Sequence, residues 1–472
     1  MSPGSVGHLG SRATPGSATG PHTGRGRRTR IFFRSSSASV VVAVLLDASR
    51  ILAGCPRLAA WPEGLVVARA LERALAATCP RTLVARALAS LDLGPRCAVL
   101  AMGKAASAMA AGAAGALDGR IVCGLVVAKH APEALPPPFA CVVGDHPVPG
   151  PASLAAGRAV VDFVEGLAPD LPLVVAISGG TSSLAVAPKA GLDPKTLAEA
   201  SRRALSAGLD IGRTNALRMR LDRLKGGGLA RLAGRRTVVG LVLSDVPGHD
   251  AAFVGSGPLS PPPPVPLERI ASDARALGLP PSVTRLLARP SEPPPKVPLL
   301  VLADPHTAAH AAAEVLEDAG FRTIVDATAV EGVARDVGGR LARAPRSPGR
   351  TARVAAGETT VRVEGAGIGG RNTELALAAA LALAEGPKET TRDRRVVAFA
   401  TDGEDGTAPS AGGIADARLA ADLRAAGIDP TDALARNDSY SALAAAGAAL
   451  HTGPTGTNVA DLILVLDGGA GH

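Results

Sequence analysis

Four short runs of almost uninterrupted Val, Leu, Ile and Ala, each closing on glycine and small polar residues, constrain this chain more than any other feature. They are CAVLAM (97–102), IVCGLVVA (121–128), LPLVVAIS (171–178) and TVVGLVLSD (237–245). A strand that is apolar on both faces has to be covered on both faces, and the Ala-rich stretches of helical period between these runs supply the cover. The reading is an α/β fold with a parallel sheet over residues 65–297. Residues 258–297 form a proline-dense connector, in PLSPPPPVP and EPPPKVP, which permits short helices and no long element. The same rhythm resumes in VPLLVLA, RVAAGETTVRVEG, RRVVAFATDG and DLILVL, giving a second α/β domain over 298–472.

A chain of 472 residues accommodates such domains with cores of their own. It is 47% apolar but only 2% aromatic, so Ala, Val and Leu build the cores and stacking platforms for single-stranded nucleic acid are excluded. The net charge of +8 is local: residues 1–60 hold eight arginines and one acid, Asp47, leaving the rest nearly neutral. That distribution argues against a nucleic-acid partner. Residues 1–64 are read as a disordered or leader extension. An export signal with a lipoprotein-like LAGC box at 52–55, an organelle transit peptide and a plain disordered tail all remain open. No segment approaches the ~20 apolar residues of a membrane span. Five widely spaced cysteines without a C-x-x-C pair read as reduced thiols.

The polar loops after the strands carry the chemistry, since ligands of open α/β sheets sit at strand carboxyl ends. Run 97–102 ends in GKAAS, placing Lys104 at a helix start as a point charge for phosphate, although Ala98 stands where a Walker A motif needs glycine. Run 171–178 ends in Ser178, Gly179, Gly180, Thr181, Ser182 and Ser183, more hydroxyls than one helix cap requires. Arg218, Asp222 and Lys225 share a helical face that ends at a triple glycine. Run 237–245 ends in Ser244 and Asp245, with Asp250 and the turn residues Ser256 and Gly257 beyond; aspartates there suit Mg2+.

In the second half, Gly365, Gly367 and Gly370 match G-x-G-x-x-G, but the next strand's acid, Asp402, comes 37 residues after Gly365, too far for a ribose-binding acid. Arg371, Asn372 and Glu374 open the following helix, where the arginine suits a phosphate or carboxylate. Asp402 and Asp405 follow a strand without the spacing of a calcium loop. Asn437 and Ser439, then Thr455, Gly456, Thr457 and Asn458, resemble further anion cradles. His306 and His310 lack the glutamate of a zincin motif, with Thr307 in its place, and no Ser/His/Asp triad can be assembled.

Taken in order, GKAA, GDHPVPG, ISGGTSSL, LKGGGLA, LSDVPG, SGP, GGRNTELALAAALA, ATDGEDG, NDSY and TGPTGTNVADL give a chain that, from about 65 to 466, resembles the class II glycerate kinases, whose C-terminal portion is the MOFRL domain. The resemblance implies a Rossmann-like domain and a MOFRL domain with the active site in the cleft between them. It implies ATP- and Mg2+-dependent phosphorylation of D-glycerate, usually at the 2-hydroxyl, and hence a cytoplasmic location where ATP is present. Lys104, Arg371 and Asp245 are expected to act on the transferring group, with Asp245, Asp402 or Asp405 holding Mg2+ or taking the hydroxyl proton. No nucleic-acid or membrane partner is expected. The sequence departs from the family pattern at Met219, Arg220 and Asp222, where Lys, His and Ser are usual, at His249, and at Thr373 and Pro409. Two rivals remain: an NAD(P)H-dependent hydroxypyruvate reductase, and a non-catalytic sugar-acid binding protein.

Overall fold

The computed structural model describes residues 46–468 apart from 208, 210, 247–250 and 291. The leader reading of residues 1–45, and Asp250 with its neighbour His249, lie outside the described residues.

The four apolar runs become strands of one parallel sheet, built from β1 (Cys97–Met102), β2 (Ile121–Ala128), β3 (Phe139–Val143), β4 (Leu173–Ile177), β5 (Val238–Leu243) and β6 (Leu299–Ala303), in the order β3-β2-β1-β4-β5-β6. Side chains alternate between faces as the two-residue period of a strand demands. Cys97, Val99 and Ala101 of β1 join one apolar cluster, and Ala98, Leu100 and Met102 join another. The order places a topological switch point between β1 and β4, whose following chains leave for opposite sides of the sheet.

The second sheet is built from β7 (Arg322–Val325), β8 (Thr351–Gly357), β9 (Arg394–Ala400), β10 (Gly412–Asp416), β11 (Ala449–Leu450) and β12 (Asp461–Asp467), ordered β11-β10-β9-β12-β8-β7. It is mixed: β12 runs antiparallel to both β8 and β9, whereas β7 and β8 are parallel. The helix Arg371–Glu385, buried along almost its whole length, packs on β9 and β10. The expected strand over 353–365 stops at Gly357, leaving a glycine-rich loop before this helix.

Two boundary expectations are corrected. Strand β6, placed in the second domain by sequence, pairs with β5 in the first sheet, so the first domain runs on past its proline-dense connector, which holds the helices Leu267–Ala276 and Pro281–Leu287. The chain crosses to the second domain at Asp304, which caps the helix Pro305–Asp318 by accepting from the Thr307 N–H at 2.8 Å. Residues 46–64 are not an extension. Asp47 caps the helix Ala48–Ala53, and the Arg57 guanidinium grips Asp416 through Nε at 2.8 Å and Nη2 at 2.7 Å while Nη2 also reaches Asp422. Trp61 Nε1 donates to the same Asp416 carboxylate at 3.0 Å. Cys55 of the LAGC box is fully buried, donates to the Gly447 carbonyl, and burial pushes its thiol up to about 11. Among the described residues no helix is long and apolar enough to cross a membrane.

Because Asp416 is nearly buried, removing its guanidinium leaves a charge without a partner. Arg57→Ala is therefore expected to cost about 3 kcal/mol, read as an earlier denaturant transition of tryptophan fluorescence at Trp61.

Candidate active site between the two sheets

At the switch point the chain after β1 and the chain after β4 approach so closely that neither tolerates a side chain at its glycines. Gly103 has φ +119°, and a Cβ there would lie 2.2 Å from the Ser178 hydroxyl oxygen. Backbone bonds lock the two loops together: the Ser178 N–H donates to Met102 O and the Lys104 N–H to Gly179 O, both at 2.9 Å. Ser178 accepts from the Ala105 N–H and donates to the Met102 carbonyl; Thr181 donates to Ser178 O and Ser183 to Gly180 O. Of the hydroxyls singled out here, half-buried Ser182 alone has no hydrogen-bond partner among the described residues. The loop's own folding accounts for the others.

This geometry aims Lys104 across the cleft, where its Nζ donates to Asp402 Oδ2 at 2.6 Å. Burial pulls the ammonium pKa down, but Asp402 outweighs it and holds the group above the ordinary lysine value. Asp245, after β5, is partly buried beneath the same loop. A Cβ on Gly179 would stand 1.7 Å from Asp245 Oδ2 and 2.1 Å from Asn458 Nδ2, and that amide donates to the carboxylate at 3.2 Å. Burial raises the Asp245 pKa, opposed by the nearby Lys104 charge.

Arg371 arrives from the second sheet. Its Nε and Nη2 grip Asp461 at 2.5 and 2.9 Å, and Nη1 contacts half-exposed Glu358 at 3.1 Å. Sheet register explains the convergence: Asp461 opens β12 opposite Gly357 at the end of β8 and Ala400 at the end of β9, so Glu358 and Asp402 emerge beside it. Lys104 and Arg371 thus bond carboxylates, Asp402 and Asp461, that stand beside each other where β9 ends and β12 begins.

Several nominated residues have structural duties instead. Asp405 caps the helix Arg371–Glu385, accepting from the N–H groups of Asn372 at 2.9 Å and Thr373 at 2.8 Å and from the Thr373 hydroxyl. As a metal ligand it is corrected: both carboxylate oxygens face the helix N-terminus. Thr373, where glutamine is usual, completes that cap, and Ser439 donates to its hydroxyl. Glu374 is buried between Arg335 and Asn437. Asn437, at φ +55°, pins the glycine loop by accepting from the N–H groups of Glu364 and Gly365. Gly365 and Gly367 are glycines because that turn presses on them: added Cβ atoms would meet Arg436 O at 2.2 Å and Asp438 Cβ at 2.5 Å. The motif that invited a dinucleotide thus packs the loop before the helix Arg371–Glu385 against the 436–438 turn. Thr455 donates to Thr401 O, Thr457 donates to Thr78 O, and Gly456 turns at φ +80°; these hold Asn458 under the cleft.

Arg218 and Lys225 form a separate group. Lys225 Nζ bonds Asp222 Oδ2 at 2.7 Å, both fully enclosed, and Asp222 also accepts from the N–H groups of Leu224 and Ala187. Burial lowers the pKa of Lys225, against the pull of Asp222, and also lowers that of Arg218. The carbonyls of Ser256 and Gly257 accept from Gly226 and Gly227, docking the triple glycine onto the 255–257 turn. No hydrogen bond or ion pair among the described residues joins this group to Lys104 or Arg371. Asp222, standing where serine is usual, neutralises the lysine expected to meet a ligand.

Sequence reasoning overlooked Glu358, Asp461, Glu404 and His146. Lys129 and His130, after β2, both bond Glu404, the latter at 3.0 Å, and so strap the two domains together beside the Lys104–Asp402 pair. The first two acids had a readable signal, each standing at a strand terminus.

Of the three carboxylates expected to hold Mg2+, Asp405 is excluded by its cap, and Asp402 is committed through one oxygen to Lys104 and through the other to the Glu404 N–H. Asp245 fits: a partly buried carboxylate, raised in pKa by desolvation, whose side chain among the described residues meets one amide and no bonded cation. One protein carboxylate with phosphate oxygens and waters is an ordinary Mg2+ environment. Because Gly179 leaves room for both Asp245 and Asn458, Gly179→Ala is expected to displace them and lower turnover by about 10² or more while far-UV circular dichroism stays native.

Residues 66–288 match a family model described as a domain of unknown function (DUF4147), and residues 351–461 match the MOFRL family. The D-glycerate 2-kinase of Thermotoga maritima is 34% identical, the match covering 86% of this chain and 99% of that protein. A putative hydroxypyruvate reductase of Agrobacterium vitis is also 34% identical, covering 85% and 94%. The crystal structure of the Thermotoga maritima glycerate kinase superposes with a TM-score of 0.74 at 33% identity, over 86% of this chain and 100% of that one. Two α/β domains of this order, the buried charges where they meet and relatives matched over nearly their full length agree: the chain belongs to the glycerate kinase family.

Proposed function

We propose that this protein is an ATP-dependent kinase that phosphorylates D-glycerate, giving 2-phosphoglycerate. The observation that carries the reading is the approach of Lys104 and Arg371 from different sheets to one cleft floored by Asp245. Phosphoryl transfer asks a protein chiefly for positioning and for neutralising charge on the transferring group, and two cations set against buried carboxylates suit that task. At rest each cation is neutralised, Lys104 by Asp402 and Arg371 by Asp461 and Glu358. An incoming phosphate replaces the weakest of these partners, half-exposed Glu358, and takes up the freed guanidinium donors. The loop of Gly179, Gly180 and Ser182 offers a surface without side-chain bulk and one uncommitted hydroxyl. Asp245 is the residue that would hold Mg2+, and the ion would supply positive charge against the phosphate oxygens. The strap from Lys129 and His130 to Glu404 keeps the domains closed and water out.

Purified protein with ATP, Mg2+ and D-glycerate is expected to yield product that enolase consumes directly; dependence on added phosphoglycerate mutase indicates the 3-phosphate instead. No product in either coupling with folded protein overturns the reading, and NADH oxidation with hydroxypyruvate establishes the reductase alternative.

Lys104→Ala is expected to lose about 10²-fold in kcat/KM, about 2.7 kcal/mol; retention of more than about a tenth contradicts the role given to it. Glu358→Gln, by releasing one face of the Arg371 guanidinium, is expected to lower the KM for ATP about two- to fivefold at low ionic strength, an effect that fades with added salt.

A further inference from the structure

The ring of His146 lies beside Gly180 in the loop after β4, and no interaction described so far uses it. An added Cβ on Gly180, φ +84°, would lie 3.1 Å from Lys104 Cγ, 3.3 Å from His146 Cδ2 and 3.4 Å from His146 Nε2. Imidazole, lysine stem and glycine therefore bound one small volume at the carboxyl ends of β1 and β4. His146 comes from the chain after β3, a third element converging on that volume. Its ring is partly buried, yet neither nitrogen has a hydrogen-bond partner among the described residues. Neither ring nitrogen is among the buried polar atoms left without a partner, so both are open to a molecule entering beside Gly180 and Lys104.

We propose that His146 is a catalytic residue of the proposed kinase, its Nε2 accepting the proton of the acceptor hydroxyl as the phosphoryl group is transferred. The inference rests on the kinase reading above. The hydroxyl oxygen forms the new bond to the γ-phosphorus, its O–H electron pair remains on that oxygen, and the proton passes to Nε2. The bond between the γ-phosphorus and the β,γ-bridging oxygen breaks with its electrons leaving on ADP. The ring has to carry its resident proton on Nδ1 for this.

The groups facing the ring suit a base that discharges again after each turnover. Lys104 from the β1 loop and Lys129 from the β2 loop oppose its protonation, whereas Asp402 and Glu404 from the second domain favour it. Burial first, then the two lysines, brings the ring down to about 4, so it is neutral with a free lone pair at neutral pH. A weak base suffices, since in a loose phosphoryl transition state the proton moves late, and protein kinases use an aspartate for the same task.

Two variants test this. His146→Ala is expected to lower kcat by about 10² or more and to raise the KM for glycerate, with the KM for ATP unchanged. His146→Gln keeps an oxygen that accepts a hydrogen bond but not a proton; it is expected to restore the glycerate KM to within about threefold while kcat stays about 10² down. Thermal melts of both variants separate loss of fold from loss of function; if the alanine variant does not fold, the glutamine variant decides. A folded His146→Gln enzyme with kcat within threefold of wild type overturns the proposal. So does a fall in kcat that follows an equal rise in the KM for ATP. Absence of kinase turnover in the wild-type protein overturns the kinase reading itself, a different result from an active wild type with an indifferent His146.

Discussion

The ion pair between Lys104 and Asp402 ties the chemistry of this molecule to its architecture. Each partner follows a strand of a different sheet, both are largely withdrawn from water, and neither is stable there alone. Stripping one member of such a pair leaves a buried charge, so the two domains are held in the arrangement that keeps the pair intact. The Lys129–Glu404 and His130–Glu404 contacts reinforce it, and the helices of residues 46–64 clamp the second domain from its other side through Arg57 and Asp416. The cleft gathers several such pairs in one place, whereas the Lys225–Asp222 and Arg394–Asp467 pairs are buried elsewhere in the Ala-, Val- and Leu-built interior.

Glycines make that concentration possible. Gly103 and Gly179 are positions where a methyl group would occupy the space of the Ser178 hydroxyl, the Asp245 carboxylate and the Asn458 amide. Their lack of a side chain lets three loops collapse onto one point, and the hydroxyls around them bond chiefly to neighbouring backbone. The loop thereby becomes a rigid floor to the cleft. Asn437 and Asp405 play the equivalent part in the second domain, fixing the glycine loop and the helix start from which Arg371 projects.

Much of the first domain was legible in the sequence. Runs apolar on both faces required a sheet covered on both sides, and β1, β2, β4 and β5 fall where those runs lie. Lys104, Asp245, Asp402 and Arg371 were readable as strand-end or helix-start charges, and the structure bonds Lys104 to Asp402 and Arg371 to Asp461 at the neighbouring strand end. Lys225 was also readable as a candidate cation, but its three-residue spacing from Asp222 concealed that the two would neutralise each other inside the fold. Asp405 carried the same signal as Asp402; only the position of the helix Arg371–Glu385 turned it into a cap. The boundary at 298 failed because a connector rich in proline looks alike whether it joins two domains or two strands of one.

Apolar periodicity by itself determined which segments became buried strands and helices, because burial of a two-faced strand is a local demand of its side chains. Glycine spacing likewise determined where loops turned. Strand direction is not a local property, and the antiparallel insertion of β12 between β8 and β9 was decided only in the tertiary structure. That insertion brings Asp461, at the beginning of one strand, beside Glu358 and Asp402, at the ends of two others, and so sets the carboxylates that hold Arg371 and Lys104. Residues more than a hundred positions apart acquire their ionisation and their partners from that register, because electrostatic interaction depends on distance through space and on exclusion of water, and a linear sequence encodes neither directly.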